Sequence, residues 1–368
     1  MSVEENEKAL IFHGSGREYF KIWIVNIVLT VITFGIYSAW AKVRTNKYFY
    51  GNTFFGSDSF DYHADPKKIL IGRIIVFAFY ALFVIFNDYL LNHTVAGIIL
   101  FIFFILLPWL IKQSVRFKLK YTSFRTVHFS YHATTWQFYK FFILHGLLLI
   151  VTFGISYPFS FNSFKKLLIN HTSYGESKLT YSGDAGSVYG IAIISSLLSM
   201  IVVLLVVLLG MIIFSILSQY LPLSEYMTAL TNVGKNPKAA PPPKAFIFAS
   251  VFIIYFFFIV YIIINKGFWE AKITNYIWDN TKLSDGLCNF KSKLSALGLI
   301  WIYISNFILI LITFGLYMPW AKVRIAKYKV KKFFISCQNI DNFKGTFDDK
   351  QNALGEETAD FFDIDIGL

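Results

Sequence analysis

A chain of 368 residues that is 56% hydrophobic and only 15% charged excludes an ordinary soluble fold, in which about a quarter of residues carry charge. Its net charge of +12, from 34 Lys plus Arg against 22 Asp plus Glu, would suggest nucleic acid in a soluble protein. Beside long apolar runs the same excess reads as the positive-inside bias of a membrane protein, and the 19% aromatic content suits belts at both interfaces.

Read from the N-terminus, MSVEENEKAL is acidic and lacks the basic region and small-residue cleavage site of a signal peptide, so the first apolar segment is expected to be retained. Seven apolar stretches follow: Tyr19–Trp40, Ile69–Phe86, Val95–Ile111, Phe138–Phe159, Val188–Leu217, Ala245–Asn265 and Leu297–Trp320. Each is near or above the ~20 residues that span a bilayer as helix. The Pro-rich segment 224–245 cannot pack a core. Beyond Gly345 a tail with seven acids and one lysine is expected to be disordered, which leaves +18 on the rest of the chain. The pattern predicts an all-α polytopic membrane protein of about seven hydrophobic segments, three broken or re-entrant and four forming two helix pairs, with small repeated β-hairpins on the cytoplasmic side. Residues 1–345 are expected to form a single membrane domain with internal repeats at 10–128, 129–286 and 287–345, followed by the acidic tail 346–368.

Internal repeats carry most of the information. TFGIYSAWAKVRTNKY at Thr33–Tyr48, TFGISYPFSFNSFKKL at Thr152–Leu167 and TFGLYMPWAKVRIAKY at Thr313–Tyr328 align without gaps. A second repeat alternates apolar and polar residues as half-buried strands do. Its copies start at Thr53, Thr122, Thr172 and Thr281, with an apolar residue two positions on and an aromatic nine on, at Tyr62, Tyr131, Tyr181 and Phe290. The N-terminus holds only the second half of such a unit, Leu10–Gly14, and the C-terminus only a first half, Phe333–Ser336. These halves are expected to pair and close the set. Val115–Lys120, with cations on one side and apolar residues on the other, reads as a basic strand. Cys288 and Cys337 lie in basic stretches and are expected to be reduced and to face the cytoplasm.

Paired termini require an even number of crossings, with the three TFG segments dipping in and returning at the glycine. Loop charge favours this, because seven full spans would place eleven lysines and arginines, from Lys8 to Lys293, outside. Against it, the run from Tyr19 to Trp40 covers about 33 Å as helix, a natural single span.

Seven positions before each TFG threonine stand Asn26, His145 and Asn306. A polar residue at one register costs free energy in hydrocarbon unless paired, so these three are candidates for a substrate or ion path, or for interhelical packing. Lys21 and Lys140, twelve before, suit snorkelling to headgroups, as does Arg73. Trp40, Lys42 and Arg44, and again Trp320, Lys322 and Arg324, set an aromatic anchor beside cations and are candidates for a lipid-headgroup site. His13, His63 and His132 recur at one hairpin position, but two copies lack the histidine, so turn chemistry is the better reading than a metal site.

Phosphate-loop, HExxH and GxSxG signatures are missing, and no paired carboxylates lie in an apolar segment. No enzyme activity, cofactor or metal is therefore expected. The expected partners are membrane lipids with anionic headgroups, not nucleic acid.

At FHGSGREYFKIW, TFGIYSAWAKVRTNKYFYGNT, FDYHADP and TFGLYMPWAKVR the chain resembles the YjgN family of bacterial inner-membrane proteins, from about Phe12 to Phe334. The middle repeat departs from the pattern at Ser156, Phe159 and Phe161, where the Trp and basic pair are lost. The resemblance implies a multi-pass protein of the bacterial inner membrane and brings no activity or substrate. Helices broken at Gly35, Gly154, Gly315, Pro158 and Pro319, with polar residues at one depth, suggest a transporter- or channel-like protein. The alternative is a non-transporting scaffold or lipid-binding protein.

Overall fold

The computed structural model of the chain describes residues 7–217, 244–283 and 287–337, so the Pro-rich segment and the acidic tail lie outside the described residues. Five times the chain runs from a strand through a pair of helices into the next strand. Strands β1 (Lys8–Ala9) and β2 (Ile11–Phe12) precede helices α1 (Gly16–Ile32) and α2 (Ser38–Gly51), which lead to β3 (Thr53–Phe55) and β4 (Asp58–Tyr62). Helices α3 (Pro66–Val84) and α4 (His93–Lys120) lead to β5 (Thr122–Phe124) and β6 (Val127–Tyr131). Next come α5 (Thr135–Val151), α6 (Tyr157–Ile169), β7 (Thr172–Tyr174) and β8 (Ser177–Tyr181). Helices α7 (Ala185–Leu217) and α8 (Lys244–Asp279) lead to β9 (Thr281–Leu283) and β10 (Cys288–Ser292), and α9 (Ala296–Ile312) and α10 (Met318–Lys331) to β11 (Phe333–Cys337).

Local chemistry explains why the unit repeats. After each returning strand stands a helix N-cap whose side chain accepts a first-turn amide: Ser15 from Glu18, Asp65 from Lys67, Thr134 from Gln137, Asp184 from Ser187 and Ser295 from Gly298. Four residues beyond each cap lies an apolar side chain, Tyr19, Ile69, Phe138, Val188 or Leu299, none more than 1% exposed. At the other end of each of the first four pairs, the threonine that opens the strand donates its hydroxyl to a carbonyl four residues back in the preceding helix. These bonds join Thr53 to Phe49, Thr122 to Lys118, Thr172 to Leu168 and Thr281 to Ile277, at 2.7–2.9 Å. Cap and threonine together fix the angle at which helix meets strand, and this is the reason the threonine recurs.

The hairpins do not stand apart. All eleven strands form one antiparallel sheet in the order β1-β11-β10-β9-β8-β7-β6-β5-β4-β3-β2. Its first and last members are consecutive pieces of one N-terminal segment. Lys8 and Ala9 pair with Ile335 and Phe334, Ile11 and Phe12 pair with Phe54 and Thr53, and between them Leu10 donates its amide to the Phe333 carbonyl at 3.0 Å. The sheet is thereby a closed ring. Pairing at the two ends agrees with the expectation from the half-units, although the residues facing β11 are Lys8 and Ala9 rather than Leu10–Gly14. Glu7 latches the junction through Lys293 at 2.7 Å and Lys291 at 3.4 Å, and the hydrogen bond from Lys293 is the main cause holding its carboxyl below the usual range.

Apolar clusters fill the seams between successive units. One gathers Ala39, Val43, Tyr62, Ala64, Ile69 and Phe117; the next gathers Ile111, Val115, Leu119, Tyr131, Phe138 and Leu168. Phe12, Tyr19 and Val323 form the same arrangement where the last unit meets the first. Each such buried aromatic or aliphatic side chain contributes about 1.5–3 kcal/mol.

Four sequence expectations are corrected. The protein is not all-α with seven spans: it carries the eleven-stranded ring, because each alternating hairpin has an unpaired edge that its neighbour satisfies. Among the described residues three helices are long and apolar enough to cross a membrane, Pro66–Tyr89, His93–Lys120 and Ala185–Ile212. Val115–Lys120 is the last turns of α4 rather than a strand; Val115 and Leu119, four apart, share one buried helical face with Ile111. In the fourth hairpin a longer turn shifts the register, so Ser292 opposite Phe333, not Phe290, occupies the place of Tyr62, and Lys293 that of His63. Finally, Cys288 and Cys337 are not two free thiols. The register sets them opposite each other on β10 and β11, and they form a disulfide.

By compactness the described residues divide into a first unit within Met1–Tyr189, Ile273–Leu294 and Ile308–Leu368, which holds the whole ring, and a second within Gly190–Lys272 and Ser295–Phe307, built from helices α7, α8 and most of α9. In the second unit Ser199 bonds Asn265, and the Tyr303 hydroxyl donates to Glu270 at 2.6 Å.

Two outcomes follow from the ring. Leu10→Pro removes the amide that bonds Phe333 at the closing junction and should lower stability by on the order of 2–3 kcal/mol, read by thermal unfolding in detergent. Asp184 has its carboxyl lowered from 3.8 to about 2 by hydrogen bonds from the Ser187 side chain and amide and from Tyr276. A depressed carboxylate stabilises above its unfolded value and loses that contribution as pH falls through its folded one. The melting difference between wild type and Asp184→Asn should therefore be full above about pH 4 and shrink toward pH 2.

Candidate functional site

The three TFG segments are helical hairpins: α1 with α2, α5 with α6, and α9 with α10. Each bends over a turn in which the glycine has a positive φ, +90° at Gly35, +83° at Gly154 and +90° at Gly315. Open space surrounds all three, so the requirement for glycine is conformational rather than steric. In the first two hairpins, folding back at this turn brings the residue seven before the threonine opposite the residue eight after it, Asn26 opposite Ala41 and His145 opposite Ser160.

That geometry places the polar register. Asn26 is 6% exposed, and its amide donates to the Ala41 carbonyl at 3.3 Å across the hairpin. His145 makes the equivalent bridge, from Nδ1 to the Ser160 hydroxyl at 3.1 Å, with its ring stacked on Phe141 and tilted against Phe159. Each therefore ties together the two arms of its own hairpin, fifteen residues apart in both cases. Asn306, 3% exposed, holds the same position in α9 and belongs to the second compact unit. Asn26 also keeps one buried atom, Oδ1, that accepts no hydrogen bond among the described residues.

The aromatic and basic motifs form collars on the returning arms. Tyr37 stacks on Trp40 with ring centroids 6.1 Å apart and accepts a hydrogen bond from Arg44 at 2.9 Å. Tyr317 stacks on Trp320 at the same 6.1 Å. Trp320 further packs on Phe20, and a Cβ on Gly16 would come within 2.2 Å of its indole, so the first helical position of α1 is glycine where α10 packs on it. Arg44 and Lys322 are exposed, whereas Lys42 and Arg324 are partly covered. Arg73 on α3 donates to the Ser38 hydroxyl at the start of α2, which is a role between helices rather than only at headgroups. Lys21 and Lys140 are exposed near the starts of their helices.

The hairpin histidines are spread around the ring. His63 and His132 each bond a serine of the next hairpin, Ser123 and Ser173, both at 2.9 Å. His13 instead packs edge-on against Phe54, the residue that stands where those serines would be. Among the described residues no group of three or more His, Cys, Asp and Glu could hold a metal ion.

Sequence reading missed the tyrosines of the collars and the strand serines. Tyr37 and Tyr317 were visible as a shared residue four after TFG threonine, and Ser123 and Ser173 as the residue after each strand threonine. Neither signal says what the residue touches.

Comparison with known proteins matches residues 7–361 to the family described as bacterial protein of unknown function (DUF898). The inner membrane protein YjgN of Salmonella typhimurium is 24% identical over 374 residues, covering 95% of this chain and 93% of the relative. The protein of the same name from Escherichia coli O157:H7 is 24% identical over 365 residues, with 89% and 88% covered. No solved structure matches. The relatives' name supports an inner-membrane location, in keeping with the apolar helices. With nearly its whole length matched, the chain belongs to the DUF898 family of bacterial membrane proteins, the family of YjgN.

Proposed function

We propose that the protein is a lipid-binding membrane scaffold, with the strand ring at the cytoplasmic surface and the helix pairs entering the bilayer from it. One observation carries this reading: the same Tyr-on-Trp stack, beside cations, stands on the returning arm of two hairpins. A flat aromatic pair prefers the interface, and a neighbouring guanidinium or ammonium there meets anionic headgroups. The excess of Lys and Arg in the segments next to the ring supports the cytoplasmic side. Because both ends of the first three helix pairs, which lie with the ring in the first unit, connect to ring strands, each of these pairs enters and leaves on one face, which supports an even number of crossings. Asn26 and His145 bond within their own hairpins, so their polarity is used in holding arms together.

A second reading, a transporter- or channel-like protein, is favoured by the buried Oδ1 of Asn26, a spare acceptor of the kind that lines a path for a cation or polar solute.

Two measurements separate them. Replacing Lys42, Arg44, Lys322 and Arg324 together with Gln should reduce the anionic lipid that co-purifies with the protein by more than about tenfold, at about 1 kcal/mol for each of the two cations in a motif, while the fold persists. Unchanged anionic lipid would sink the scaffold reading. Asn26→Leu and His145→Leu should each lower the melting temperature, at about 1 kcal/mol for a lost hydrogen bond, with proteoliposome ion flux equal to that of empty vesicles throughout. Flux above empty vesicles that Asn26→Leu abolishes without changing the melting temperature would establish the path instead.

A further inference from the structure

The residue between Thr and Gly in each turn is a phenylalanine held in the left-handed region, with φ +49° at Phe34, Phe153 and Phe314. A bulky L-residue there costs free energy that Asn or Gly would avoid. All three nevertheless point away from the protein, 98%, 95% and 97% exposed, and the next large residue after the glycine, Ile36, Ile155 or Leu316, is exposed as well. Three separate hairpins thus each present a strained, fully exposed aromatic tip.

The amides beneath these tips need no water. In the first hairpin every amide from Thr33 to Ser38 has an internal acceptor: Leu29, Val31, Thr30 and Thr33 carbonyls in turn, then the Thr33 hydroxyl for Tyr37, then the Gly35 carbonyl for Ser38. The second and third hairpins repeat the scheme, with the Thr152 hydroxyl accepting from Ser156 and the Thr313 hydroxyl from Tyr317. The threonine hydroxyl also donates back to its own helix, to Leu29, Leu148 or Leu309. In contact with hydrocarbon an unbonded amide costs several kcal/mol, so irregular turns are excluded from lipid unless they satisfy themselves. These turns bond all their amides internally, as burial in lipid requires.

Length sets the depth. The first cation after the tip is Lys42 in the first hairpin and Lys322 in the third, eight residues from the phenylalanine across the turn and the first turn of helix, at most about 12 Å at the helical rise. With those cations at headgroup level, the tips reach about the middle of a ~30 Å hydrocarbon core and stop there.

We propose that Phe34, Phe153 and Phe314 are membrane-insertion tips, seated among lipid acyl chains near the bilayer midplane, so that the three TFG hairpins penetrate from the ring side and do not cross. The proposal deepens the scaffold reading and rests on the chain being embedded from the ring side. Its test uses the full chain with Cys288→Ser and Cys337→Ser, carrying Phe34→Cys, Phe153→Cys or Phe314→Cys, labelled with bimane and reconstituted in phosphatidylcholine vesicles with and without phosphatidylglycerol. Nitroxide placed deep on an acyl chain should quench each tip at least about threefold more than nitroxide on the headgroup, in both vesicle types. Before bimane labelling, a membrane-impermeant maleimide added to either side should react at least about tenfold more slowly with the tips than with a Ser57→Cys control in the β3–β4 turn. Stronger headgroup quenching, or reaction at the control rate, overturns the proposal. Ile36→Cys, Ile155→Cys and Leu316→Cys carry the same expectations where a phenylalanine replacement fails to accumulate. Deep quenching without anionic-lipid enrichment would leave the tips in place and remove the headgroup reading, so the two fail separately.

Discussion

The demand that every backbone amide and carbonyl find a partner governs this protein at both of its ends. In the ring it is met by neighbours: no hairpin could stand alone at a membrane surface with two open edges, and closure through the N-terminal segment removes the last pair of them. In the TFG turns it is met locally, by a threonine hydroxyl that accepts one amide and returns its proton to the helix. The same residue type thus serves twice, since the strand threonines also donate to the carbonyl four residues back. In the last hairpin this second use is absent, because Phe333 stands where Thr would be.

Once the edges are satisfied, packing follows the repeat. Three seams each take an aromatic from the returning strand and an apolar or aromatic residue from the next helix, so substitutions at Tyr19, Ile69 or Phe138 are expected to act on two neighbouring repeats together. Trp320 against Gly16 shows how tight the final seam is. The disulfide between Cys288 and Cys337 joins β10 to β11, the strand that pairs with β1. It joins β11 to the strand that precedes it in the ring, in addition to the strand hydrogen bonds.

Much of this was legible because it is local. The TFG turns, the three-residue and five-residue strands and their threonines recur at fixed spacing, and the half-units at the two termini announced the closure. What escaped depends on register or on continuity. Val115–Lys120 alternates like a strand, but it follows α4 without a break, and helix continuity outweighs six residues of alternation. The two cysteines, 49 residues apart, meet only because β10 and β11 pair in one register, which the longer fourth turn sets. Hydropathy overwhelmed short strands in judging fold class, since eleven strands of two to five residues weigh little against helices of up to 36. Among candidate site residues, the polar register was visible as a pattern, whereas its use as a bridge across the turn required knowing that the chain folds back.

Closure also imposes an order on assembly. Lys8 leaves the ribosome first among the ring residues and its partner Ile335 almost last, 327 positions later. At about 5–20 residues per second the N-terminal strand waits on the order of half a minute with its edge unmatched. During that interval each new hairpin extends an open arc by two strands. The arc becomes a ring only once β11 has been made, so a ribosome that stalls before it leaves a half-finished sheet with two open edges.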